Sequence, residues 1–93
     1  MYATLRWYAG NEELADQLAA RGDEVRNVIG GIDGVRGYYL IRTDGGTVTV
    51  TVADDQAGAD ASNAAAAEWL KANMPEVSAS PPQVSMGEVL LSL

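Results

Sequence analysis

The chain has no cysteine. That excludes disulfides, iron–sulfur clusters, thiol catalysis and cysteine-ligated zinc. It has no histidine either, so it cannot build a Ser–His–Asp triad, a histidine-held metal or a proximal-histidine haem site. Cations are scarce: six Lys and Arg stand against thirteen Asp and Glu, for a net charge of −7. A nucleic-acid backbone is therefore not an expected partner. No apolar run approaches the ~20 residues of a membrane span. The opening MYATLRWYAG lacks a basic stretch followed by an apolar one, as a secretory leader would have. The expected setting is the cytoplasm, with no membrane partner.

Ninety-three residues, 47% of them hydrophobic and 20% charged, suit one globular domain spanning 1–93 rather than a disordered chain. A core of this size is marginal, so self-association is an expected source of stability.

Tyr2 to Ala9 alternates in character and reads as a strand, with Ala3, Leu5 and Trp7 on one face and Thr4, Arg6 and Tyr8 on the other. Asn11 is a fair N-cap for an amphipathic helix over 12–30, whose apolar stripe runs through Leu14, Leu18, Val25, Val28 and Ile29. Gly22 in its middle predicts a kink or break. A second strand covers 35–43. Asp44-Gly45-Gly46 then makes a hairpin turn into a third strand, TVTVTVA over 47–53. An alanine-rich helix over about 57–74 follows, stopped by Pro75. Pro81-Pro82 leads into a last strand over about 83–91.

The order β-α-β-β-α-β is that of an α+β, ferredoxin-like fold: a four-stranded antiparallel sheet, spatial order 4-1-3-2, with two helices on one face. Hydrophobicity places Val48, Val50 and Val52, with Leu5 and Trp7, against the helices. Thr4, Arg6 and Tyr8 then lie on the open face beside Thr49 and Thr51, joined by Tyr38, Leu40 and Arg42 and by Met86, Glu88 and Leu90. An open face of that kind marks an interface or a ligand groove. The expected assembly is a homodimer with its sheets face to face and a cavity between or beside them.

Three features together resemble the antibiotic biosynthesis monooxygenase-like branch of the dimeric α/β-barrel superfamily. They are the element order, the stretch GIDGVRGYYLIRT (Gly31 to Thr43) leading through Asp-Gly into the third strand, and AAAAEWLKANMP (Ala64 to Pro75) with its one Trp. The resemblance covers most of the chain. It implies a dimeric barrel related to cofactor-free oxygenases of polycyclic phenols, haem-degrading enzymes and small isomerases. In the haem degraders an Asn on strand one and a Trp and His on helix two carry function. Trp69 matches that Trp. Strand one here has no Asn and the chain no His, which points away from haem degradation of that type.

Arg6 and Arg42 are mid-strand cations, unusual unless paired or facing a cavity. They read either as an anion clamp for a phenolate, enolate or carboxylate, or, for Arg6, as an internal salt bridge to Glu88 on the neighbouring strand. Tyr8 and Tyr38 are candidate hydrogen-bond donors, or simply aromatics that suit a sheet. Trp69 is a candidate cavity wall or a core residue. Asn73, four residues on, is a candidate ligand donor or a helix-end cap. Asp54 and Asp55 make a poor metal site, and Asp55 reads better as an N-cap.

The sequence reading is a cofactor-independent, metal-free monooxygenase-like protein acting on a small aromatic or phenolic substrate. The alternative is a non-catalytic homodimeric module that binds a small molecule or another protein. The lack of His, Cys and any clear acid–base pair speaks for the alternative.

Overall fold

The structure is a computed structural model describing residues 1–93. It runs β1 (Tyr2–Ala9), α1 (Glu13–Ala20), α2 (Gly22–Gly30), β2 (Val35–Thr43), β3 (Gly46–Ala53), α3 (Gln56–Asn73), α4 (Pro75–Ser78) and β4 (Gln83–Glu88). The strands form one antiparallel sheet ordered β2-β3-β1-β4. This is the ferredoxin-like arrangement that the element order predicts.

Local chemistry explains the boundaries. The Asn11 side chain accepts the Leu14 N–H at 3.1 Å and so caps the first helical segment. That segment divides at Arg21-Gly22 into α1 and α2, where Gly22 weakens the helix. Gly45 turns the β2–β3 hairpin at φ +86°, a conformation L side chains resist. Asp55 caps α3 by accepting the Gly58 N–H at 3.0 Å. Pro75 ends α3 and also opens the short α4, where its missing N–H costs nothing. β4 stops at Glu88, and Leu90, Leu91 and Leu93 beyond it are exposed.

The facing of the sheet corrects the expectation from hydrophobicity. Thr4, Arg6, Tyr8, Thr47, Thr49 and Thr51 are all buried, and they lie on the helix side. There they meet a core of Leu14, Leu18, Val25, Ile29, Leu70, Met74 and Val77. The pairing had the faces right, since Arg6 stands opposite Thr49 and Leu40 does too. What is inverted is which face is inside. The open side instead carries Leu5, Tyr39 and Ile41, all exposed, with half-buried Trp7, Val48, Val50 and Val52. The reason is chemical: a buried arginine needs acceptors, and the threonine row supplies them while the valine row cannot. No helix is long and apolar enough to cross a membrane.

Candidate functional site

The inverted facing puts Arg6 inside the subunit rather than on an open surface. Its side chain is only 3% exposed. Nε donates to Thr49 Oγ1 at 3.1 Å, Nη2 to Thr51 Oγ1 at 3.3 Å, and Nη1 to Asn63 Oδ1 at 2.7 Å. All three partners are neutral. The four ion pairs of the molecule involve other arginines. The guanidinium is thus oriented by hydrogen bonds while its charge has no ionic partner, a costly arrangement.

Asn63 fixes that arrangement from α3. Its Oδ1 also accepts from Thr4 Oγ1 at 3.1 Å, and its Nδ2 lies 3.1 Å from Met86 Sδ on β4. Sequence reasoning passed over this residue. The available signal was a lone amide at the start of an alanine run, where a polar side chain on a packed helix needs a partner.

Arg6, Tyr8, Tyr38 and Thr49 line the sheet side of a cavity between sheet and helices, and Leu18, Val25, Val28, Ile29, Ala66, Trp69 and Leu70 line its helix side; the surface it presents is almost wholly apolar. Its volume is about 30 Å³, room for about two water-sized groups. No carboxylate lines it. Burial pushes the Tyr8 and Tyr38 phenols above their ordinary range, and the nearby Arg6 charge opposes this only in part. At neutral pH both are hydrogen-bond donors, not bases. A second, larger cleft of about 490 Å³ adjoins it between α2 and β2.

Trp69 is half-buried and forms the outer wall. Its Nε1 donates to Glu24 Oε2 at 3.1 Å, and the Arg21 guanidinium sits 4.8 Å from the ring centroid. Arg21 also binds Glu24 at 2.9 Å and Asn73 Oδ1 at 3.0 Å, while Asn73 Nδ2 donates to the Trp69 carbonyl at 2.9 Å. This exposed brace ties the α1–α2 junction to α3 over the cavity.

The remaining sequence candidates lie elsewhere. Asn73 belongs to the exposed brace, outside the cavity. Arg42 shares the helix-side face but lies near the end of β2, where it is exposed and ion-paired with Asp16 of α1. Glu88 is exposed and stands opposite Tyr2, whereas Arg6 stands opposite Val84. The Arg6–Glu88 bridge is therefore not formed, because the two residues are out of register. The aspartate pair divides: Asp55 caps α3, and Asp54 binds Arg36 at 2.6 and 3.0 Å. That guanidinium holds the Asp54 carboxyl below its ordinary range.

No family model matches the sequence, and no curated protein matches it. Solved structures do match over the whole chain. A protein of unknown function from Nitrosomonas europaea, NE2512, aligns with a TM-score of 0.74 at 19% identity, over 99% of this chain and 91% of its own. MhuD, solved as an R26S mutant with two manganese protoporphyrin IX molecules per active site, gives 0.74 at 14% identity, over 100% and 98%. SnoaB, a cofactor-independent oxygenase from Streptomyces nogalater, gives 0.57 at 16% identity, over 99% and 94%. MhuD and SnoaB belong to the antibiotic biosynthesis monooxygenase-like dimeric α/β-barrel superfamily. This chain shares their fold.

Proposed function

We propose that the chain binds a small aromatic anion between its sheet and helices and acts on it as a cofactor-independent oxygenase. The observation that carries this reading is Arg6: a buried cation, held by three neutral acceptors, facing a cavity free of carboxylates. Such a group offsets part of the burial penalty on a phenolate and holds one that binds as the anion. An electron-rich phenolate can add dioxygen at a ring carbon. Loss of water from the resulting hydroperoxide leaves a quinone, so phenol and O₂ give quinone and water. A phenol that has given its proton to bulk water before entry binds as the anion, with Arg6 as its counter-charge, so no histidine base is needed inside the cavity. Tyr8 and Tyr38, kept protonated, would donate hydrogen bonds to the developing oxyanion, and Trp69 would close the cavity around that anionic end. The fold shared with SnoaB supports the assignment.

The test is oxygen uptake with a panel of naphthols and hydroxyanthracenes, read alongside direct binding, on the wild type and Arg6→Met. Turnover that the variant loses supports the proposal. Arg6-dependent binding with no oxygen uptake favours the second reading, a non-catalytic module. One feature already favours that reading: the cavity's only titratable groups besides Arg6 are two phenols held in the protonated state.

We also propose a homodimer formed by the open sheet faces. The open face leaves Leu5, Tyr39 and Ile41 each more than 40% exposed, an apolar surface that a partner's sheet would cover.

A further inference from the structure

The Arg6 cavity is too small for an aromatic ring as it stands, and the adjoining space says where the body of such a ligand would lie. The cleft between α2 and β2, about 490 Å³, shares Leu18, Val25, Ile29 and Tyr38 with the Arg6 cavity. The two spaces are thus separated by one layer of side chains. A ligand spanning both would have to displace part of this shared layer.

The outer cleft has its own charge. Arg26 of α2 and Arg36 of β2 line it, and no carboxylate does. With Arg6, half of the chain's six cations border these two adjoining spaces, in a molecule of net charge −7. The outer pair is open to a ligand anion. Arg26 meets Asp23 at 3.3 Å with both side chains more than 80% exposed. Arg36 engages Asp54 through Nε and Nη2, leaving Nη1 unengaged. The exposed Arg26–Asp23 pair holds weakly, so an incoming carboxylate can displace it, while Arg36 keeps its two-point contact with Asp54 and offers the free Nη1.

We propose that the ligand is an elongated aromatic di-acid. One anionic end meets Arg6, the apolar body lies in the α2–β2 cleft, and a second carboxylate sits at the mouth between Arg26 and Arg36. This inference rests on the Arg6 reading above and adds to it the length and second charge of the ligand.

Calorimetric titration with biphenyl-4-carboxylate and biphenyl-4,4′-dicarboxylate tests it. The proteins are wild type, Arg6→Met and the double variant Arg26→Gln/Arg36→Gln, each checked for an unchanged fold by circular dichroism. In the wild type the dicarboxylate should bind about tenfold more tightly, the effect of one added charge-assisted contact. The double variant should erase that advantage and leave the monocarboxylate unchanged. Arg6→Met should weaken both acids. Because the outer site is exposed, added salt should shrink the dicarboxylate's advantage more than the Arg6-dependent affinity. Equal affinity of the two acids in the wild type, or an advantage that survives in the double variant, overturns the two-ended ligand while the Arg6 reading stands. An advantage that needs Arg26 and Arg36 but not Arg6 overturns the Arg6 reading and leaves the cleft as a site in its own right. No binding of either acid to the wild type overturns both.

Discussion

Arg6 is an arginine where stability alone would place a hydrocarbon. Desolvating a cation costs several kcal/mol, and three neutral acceptors return only part of it. Replacement by Met removes the charge and keeps much of the volume. The groups left behind re-pair readily: Thr49 and Thr51 hydroxyls can turn, and Asn63 keeps Thr4. Arg6→Met is therefore expected to leave stability unchanged or raise it by up to about 2 kcal/mol, while anion binding weakens. A urea titration decides, and a loss of about 3 kcal/mol or more would make Arg6 a structural strut instead. The two buried phenols give a second prediction. Their folded pKa values lie above the unfolded value of 10.0, so the folded state holds its protons more tightly than the unfolded chain. Their contribution is complete below about pH 10 and is lost as pH rises through the higher folded values. Melting temperatures taken across the alkaline range should fall, and Tyr8→Phe/Tyr38→Phe should flatten that fall. A slope unchanged in the double variant would assign the alkaline loss to other groups.

At the scale of the elements, two glycines in helices predict opposite outcomes for one substitution. A Cβ on Gly22, at the start of α2, would meet nothing within 4 Å. Gly22→Ala should stabilise by about 0.4–1 kcal/mol by restricting the unfolded chain. A Cβ on Gly58 would lie 2.9 Å from the Ala53 methyl and 3.5 Å from the Asp33 carbonyl oxygen. This contact is what lets α3 sit close to β3, so Gly58→Ala should cost about 1–3 kcal/mol despite alanine's helix propensity. Thermal melts of the two variants should move in opposite directions. These elements also show what can be read from a sequence. The alternation in TVTVTVA and the Asp-Gly turn announce the hairpin, and with the flanking segments they give the element order and the sheet order. A period of two separates the faces but does not say which is inner. The valine row suggested the wrong one, because the buried arginine recruits the threonines. Arg6, Tyr8, Tyr38 and Trp69 could be picked out as unusual residue types in strand and helix, and they converge on one cavity. Arg42, Asn73 and Glu88 were chosen on the same grounds and do not join it. Register and distance along the strand decide that, and neither is written in residue type. Asn63 was missed because its role depends on which strand face α3 covers.

The whole molecule presents a sheet whose inner face is polar enough to hold an arginine and whose outer face is the more apolar of the two. That distribution suits a protein whose outer face is also covered. Val50 stands at the centre of the outer face, paired with Leu5 on one side and Tyr39 on the other. In a monomer its side chain borders solvent, so Val50→Glu should alter the subunit's own stability by no more than about 1 kcal/mol. In a two-fold dimer the substitution occurs twice across one interface and buries two unpaired carboxylates. Sedimentation should therefore find the wild type at twice the 9.8 kDa chain mass and Val50→Glu at the single-chain mass. The wild type's melting temperature should rise with concentration, as mass action requires of a dimer, and the variant's should not. If the variant alone loses aromatic-anion binding while its circular dichroism is unchanged, the sheet that carries Arg6 is held in its binding geometry by the partner. If it binds normally as a monomer, the inner cavity is complete within one chain. A wild type that sediments as a monomer at micromolar concentration would remove the dimer from the account and leave the outer face without an explanation.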